Sequence, residues 1–165
     1  MQNIEYDCYR MHVASISTDV KVHAFATGDL LHTYRTNTQD PVKTISWAKD
    51  GYWLMVVPNK GSAELISIKE KLKLLHSVQE IQQPSCAVFQ NSTKRSFAIG
   101  SSTGTVVVYD IKSKQISKHF PRAPSAILKL EYCVGDSFLM AACGNGDLLQ
   151  YNSRRHFCDR LTHKV

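Results

Sequence analysis

Paired cysteines are missing from this chain. Its five cysteines (Cys8, Cys86, Cys133, Cys143, Cys158) include no C-x-x-C, and an odd, scattered set fits neither a disulfide framework nor a zinc site. They read as small, reduced core hydrophobes. No apolar run approaches the roughly 18 to 20 residues of a bilayer span. The opening MQNIEYDCYR places polar and acidic residues where an export signal needs a basic start and an apolar stretch, which predicts a cytoplasmic setting with no membrane partner. In that setting the acceptor Asn91-Ser92-Thr93 stays unmodified.

Catalytic signatures are also absent. There is no G-x-S-x-G, H-E-x-x-H, Walker loop or G-x-G-x-x-G. The stretch GSSTG, residues 100–104, is followed by a strand and so reads as a turn, since no helix amino terminus would face an anion. The seven histidines (12, 23, 32, 76, 119, 156 and 163) lack metal-ligand spacing. Asp19, Asp50, Asp136 and Asp147 fall in turns, where a carboxylate bonds nearby backbone amides. No enzyme, cofactor or metal site is predicted.

What is present is a domain-sized chain of 165 residues, 43% hydrophobic and 21% charged, enough to bury a core. The net charge of +6 would suit nucleic acid, acidic protein tails or anionic lipid. Its cations are spread along the chain; the densest groups are Lys69/Lys71/Lys73, Lys112/Lys114/Lys118 and Arg154/Arg155, and they read as a solvated rim. Binding to nucleic acid would need exposed aromatics for stacking. Trp47, Trp53, Phe89, Phe97, Tyr109 and Phe138 fall instead at packing positions, so nucleic acid is not the expected partner.

A repeat organises the rest. GTVVVYDIKSKQISKHF, from Gly104, has relatives beginning at Thr18, Gly61 and Gly146, spaced 43, 43 and 42 residues apart. Upstream, VKTISW, PSCAVF and ILKLEY end at Trp47, Phe89 and Tyr132, at intervals of 42 and 43. Polar turns, second apolar runs and glycine turns follow in order. Each period therefore holds four short strands, the size of a WD-type propeller blade. Tyr109-Asp110 stands where the Trp-Asp pair belongs, Tyr151-Asn152 is a weakened version, and Ile66-Ser67 and His23-Ala24 are degenerate. KEKLKLLHSV has local helical character, but its register makes it an outer strand. An unrelated antiparallel sandwich is the competing fold.

The expected fold is all-β: a WD40-type β-propeller portion of about four blades of four-stranded antiparallel sheet across residues 1–165. The blades fall at about 4–35, 41–78, 84–120 and 125–163, the first lacking its inner strand. A seven-bladed ring would want about 290 residues. The chain is accordingly expected to be an incomplete part of such a ring, with four-bladed closure as the alternative.

The segments MHVASISTDVKVHAFATGDLLHTY, VKTISW, CAVFQNSTKRSFAIGSSTGTVVVYDIKSKQISKHF and FLMAACGNGDLLQYN together resemble the neural-precursor-expressed, developmentally down-regulated WD-repeat family. Its members are adaptors that target gamma-tubulin ring complexes to centrosomes and spindles. The resemblance runs through essentially all 165 residues, with NST and DIKSK its more specific parts. It implies a non-catalytic scaffold for microtubule nucleation, placed on centrosome, spindle and microtubule cytoskeleton, with gamma-tubulin ring complex components and centrosomal or branching factors as partners. It also implies a carboxy-terminal helical region for gamma-tubulin contact that has no counterpart in this chain. One set of loops would offer Arg35, Asn59, Lys60, Arg122 and Asn145 to a partner; the opposite set would offer Lys49, Asp50 and Tyr52. A substrate receptor for a ubiquitin ligase or another regulatory complex is the other reading that the same fold serves.

Overall fold

Strand follows strand in the computed structural model, which describes residues 4–6, 12–92, 95–155 and 158–161. The first sheet is β1 (Ile4–Tyr6), β2 (His12–Ile16), β3 (Val20–Ala24) and β4 (Leu30–Tyr34). The second is β5 (Val42–Trp47), β6 (Trp53–Pro58), β7 (Ala63–Ser67) and β8 (Lys73–Val78). The third is β9 (Pro84–Phe89), β10 (Ser96–Ser101), β11 (Val106–Asp110) and β12 (Gln115–His119). The fourth is β13 (Ile127–Tyr132), β14 (Phe138–Cys143), β15 (Leu148–Asn152) and β16 (Cys158–Arg160). All four are antiparallel and pair in chain order, an all-β arrangement consistent with part of a WD40-type propeller. Two compact units result, Met1–Gln82 and Gln83–Val165, each with two sheets.

The strands that end at Trp47, Phe89 and Tyr132 are the ones the spacing marks out. The segment around Lys71 is not helical: Lys71 and Leu72 take positive φ values of 55° and 61°, which stop a right-handed turn and aim β8 back along β7. One expectation fails. The first repeat does not lack its inner strand, because Ile4–Tyr6 pairs antiparallel with β2, Ile4 opposite Ser15 and Tyr6 opposite Val13. Three residues are too few for an alternating pattern to stand out in sequence.

Irregularities repeat along with the strands. The outer pair of the first three sheets shifts register after Val22, Leu65 and Val108, and the inner pair of the last three shifts around Lys43, Ser85 and Leu128. Each insertion raises the local twist, which a flat sheet would need in order to pack against its neighbour.

In the first unit, Ala14, Ile16, Val20, Val22 and Tyr34 pack against Val42, Ile45, Trp47, Leu54, Val56 and Ile66. In the second, Cys86, Ala98, Val106, Val108 and Phe120 pack against Ile127, Leu130, Tyr132, Leu139, Ala141 and Leu149. Val106 is fully buried, yet Leu148, one repeat later, is 38% exposed, and Leu128 and Leu161 are exposed too. Cys86 and Cys143 are core residues, as expected, whereas Cys133, just past β13, and Cys158, on the edge strand β16, are only half-buried; Cys8 lies outside the described residues.

Candidate partner-binding turns at the sheet ends

Each sheet has two ends, and the candidate residues lie on turns there. In the first unit the segment linking β4 to β5, residues 35–41, is braced on both sides. Arg35 Nε donates to Asp19 Oδ1 (3.1 Å) and Val42 N to Ser17 O (2.9 Å), on the β2–β3 turn. On the other side, Asn59 N donates to Pro41 O (2.9 Å) and Thr38 Oγ1 to Lys60 O (3.3 Å), on the β6–β7 turn. Arg35, Asn59 and Lys60 are therefore brought together, all exposed. Beneath them the buried Glu64 carboxylate accepts from Tyr34 OH (2.9 Å) and Asn37 N (3.0 Å). Burial, and then the neighbouring Glu64 charge, push the Tyr34 hydroxyl well above the usual tyrosine range.

The second unit repeats this plan. Residues 120–126 link β12 to β13 between two turns. Ala123 N donates to Gly104 O (2.9 Å) and Arg122 Nε to Thr103 O (2.9 Å) on one side; Gly144 N donates to Ala126 O (2.8 Å) and Ser125 Oγ to Asn145 Oδ1 (3.0 Å) on the other. Arg122 and Asn145 both sit at this end and both are exposed. The Asn145 amide is spent internally, however. Its Oδ1 also accepts from Asp147 N (3.2 Å), and its Nδ2 donates to Asp147 Oδ2 (2.9 Å). Asp147 is gripped further by the Arg160 guanidinium, whose Nε lies 2.8 Å away.

Two turn glycines make this bracing possible. Gly61 and Gly104 have φ of +91° and +86°, and a Cβ would come 2.6 Å from Thr38 Cγ2 at the first and 2.6 Å from Ala123 O at the second. Only a residue without a side chain lets the linking segment approach so closely.

At the opposite end of the first unit, Asp50 is buried and accepts from Tyr52 N (3.0 Å), the local turn bond expected of it. Lys49 and Tyr52 are exposed, and Lys69 Nζ lies 3.5 Å from the Tyr52 ring centroid. Asp136 departs from that local pattern. Its carboxylate reaches into the β9–β10 turn and accepts from Asn91 N (2.8 Å), Ser92 N (2.5 Å) and Ser92 Oγ (2.5 Å). Burial opposes its ionisation, but the Ser92 and Asn91 donors outweigh that and hold the carboxyl below its ordinary range.

The position of the Trp-Asp aspartate has one job in three repeats. Asp110 Oδ1 accepts from Ser113 N (2.7 Å) and Ser113 Oγ (2.9 Å); Asn152 Oδ1 accepts from Arg154 N and Arg155 N; Ser67 Oγ accepts from Glu70 N. Ser113's backbone and hydroxyl bonds hold the Asp110 carboxyl below its usual range. In the first repeat Ala24 has no acceptor side chain, and its backbone carbonyl takes the bond from Gly28 N (2.9 Å). Lys118 is a contact that spacing did not reveal: its ammonium donates to Asn152 O (3.1 Å), Ser153 O (2.6 Å) and Arg155 O (3.2 Å).

Among the described residues, no group of three or more His, Cys, Asp or Glu lies together as a metal site requires, and no helix is long and apolar enough to cross a membrane. The candidate residues stand on turns held by hydrogen bonds to neighbouring segments.

No family model matches the chain. It is similar to human Protein NEDD1, with 22% identity over 144 residues, 86% of this chain and 22% of that protein. The chain thus spans less than a quarter of the length of the curated relative it matches.

Proposed function

We propose that this chain is a non-catalytic protein-interaction scaffold that helps bring gamma-tubulin ring complexes to centrosomes, the spindle or existing microtubules. The likeness to human NEDD1 over 86% of the chain carries the reading, taken with the resemblance of its segments to the WD-repeat adaptors. The geometry supports a scaffold because exposed side chains stand on segments braced from both sides. Arg35 and Lys60 in the first unit and Arg122 in the second are the side chains offered to a protein partner; Asn59 and Asn145 shape the turns that carry them. Lys49 and Tyr52 offer a second contact region, with Asp50 holding its turn.

The chain belongs, on this reading, to a larger propeller. Support comes from Leu148, exposed at the position where Val106 is covered by the next sheet. Direct contact with gamma-tubulin then lies outside residues 1–165, and these residues contribute placement in the cytoplasm at centrosome and spindle.

The test is affinity capture from mitotic cell extract with the tagged chain, its Arg35→Glu/Lys60→Glu variant, and a longer protein carrying three further blades and a helical tail. Centrosomal or microtubule-branching factors should be retained by the chain and lost from the variant, and gamma-tubulin should appear only with the longer protein. Cullin-type ligase subunits in place of these factors would overturn the reading. Capture of the whole nucleating complex by residues 1–165 would overturn the division of labour.

A further inference from the structure

Cations that lie far apart along the sequence share one end of the second unit. A continuous path of bonds defines that end. Ile111 N donates to Arg95 O (2.8 Å), joining the β11–β12 turn to the β9–β10 turn. Asn91 and Ser92 bind Asp136, joining that turn to the one between β13 and β14, and Ser153 N donates to Ser137 O (2.9 Å), bringing in the β15–β16 turn. On these turns Arg95, Lys112, Lys114, Arg154 and Arg155 are all exposed.

Two acids on these turns are engaged within them, with Asp110 also attracting Arg95, while Glu131 and Asp159 are exposed on the adjoining strands. Asp136 is buried and committed to Asn91 and Ser92, and Asp110 Oδ1 is committed to Ser113. Lys118 adds a further positive charge just behind the β15–β16 turn, held by three carbonyls. Some cations elsewhere have partners of their own. Lys73 pairs with Glu70 and Lys69 sits over Tyr52, while at the other end of the second unit Arg160 pairs with Asp147.

We propose that this end of the second unit docks an extended, acidic protein segment, whose Asp and Glu side chains pair with Arg95, Lys112, Lys114, Arg154 and Arg155. Strands stand about 4.8 Å apart within a sheet and packed sheets about 10 Å apart, distances that an extended chain of roughly eight residues covers. Nucleic acid fits less well, because among the described aromatics of this unit Phe89, Phe97, Tyr109, Phe120, Tyr132 and Tyr151 are buried and Phe138 is half-buried, leaving no open ring for a base to stack on. A lipid surface fits less well because, among the described residues, the exposed large hydrophobics of this unit, Leu128, Leu148 and Leu161, are not on these turns. The inference goes beyond the scaffold reading and does not depend on gamma-tubulin.

The test uses the full chain and a fluorescent ten-residue polyglutamate peptide, followed by anisotropy at low salt and at about 0.15 M, where the Debye length is about 8 Å. Lys112→Glu/Lys114→Glu and Arg154→Glu/Arg155→Glu should each weaken binding by about tenfold, and the corresponding Gln pairs by about threefold. Lys43→Glu/Lys129→Glu changes net charge equally at exposed strand positions away from these turns, and should leave affinity within about twofold. Melting curves verify folding, and the Gln pairs keep the test intact if a reversal variant unfolds. Absence of peptide binding, an equal loss in Lys43→Glu/Lys129→Glu, or tighter binding of a single-stranded oligonucleotide of equal charge would each overturn the proposal. Because the peptide is synthetic, that failure is separate from failure of the extract capture.

Discussion

Replacing Asp136 by Ala removes the acceptor that joins the third and fourth sheets at their shared end. Three donors lose their partner: Asn91 N, Ser92 N and Ser92 Oγ. Ser92 is exposed, so its hydroxyl turns to water at little cost. The two amides are the larger loss. A hydrogen bond to a charged group is worth about 1.5–3 kcal/mol net, and two on one carboxylate do not simply add, so a destabilisation of about 2–4 kcal/mol is expected. That is a large share of the roughly 5–15 kcal/mol that holds a typical domain together. The effect is tied to pH. The folded carboxyl titrates below the unfolded one, whose value is about 3.9, so its contribution is whole above about pH 4 and is lost as pH falls through the lowered folded value. Urea unfolding of both proteins in a pH series measures the difference, and amide exchange at Asn91 and Ser92 reports where it arises. A loss below about 0.5 kcal/mol at neutral pH, or one that stays constant well below pH 4, would refute the reasoning.

Tyr34→Phe deprives the buried Glu64 carboxylate of one donor and should cost about 1–3 kcal/mol in chemical unfolding, whereas Thr33→Ala on the same strand, where the residue is exposed, should cost less than about 0.5 kcal/mol. Gly104→Ala meets both a positive φ and the Ala123 carbonyl and should cost more than about 2 kcal/mol; Gly146→Ala, with φ +85° and open space around it, should cost only about 1–2 kcal/mol in the same assay. In an alkaline absorbance titration, Tyr34, Tyr132 and Tyr151 should stay neutral through the ordinary range near pH 10 and ionise only with unfolding, since burial is the main cause that raises each of them.

The periodic part of the fold was legible because alternation and turn glycines recur at a constant interval, and Trp47, Phe89 and Tyr132 end their strands where that interval puts them. Degenerate signature letters did little harm. Asp110, Asn152 and Ser67 differ in sequence but each supplies an oxygen to the next turn, which is what the position requires. β1 stayed hidden because three residues carry no period. Contacts between repeats were not legible either: Asp136 with Asn91, and Lys118 with the carbonyls of the 152–155 turn, join groups tens of residues apart with no spacing rule to pair them. The same blindness made the cations look like a scattered rim, when strand reversal gathers Arg95, Lys112, Lys114, Arg154 and Arg155 at one end. Candidate residues on the linking segments were legible as turns, but the internal use of the Asn145 amide depends on Ser125, 20 residues away.

The two-sided bracing of residues 35–41 governs how the first unit carries mechanical load. A pull on Arg35 or its neighbours runs into Ser17 on one flank and into Asn59 and Lys60 on the other, so tension divides between two sheets and cannot peel one away from the other. Detachment of this segment then requires rupture on both flanks, which a loop hinged at one strand would not need.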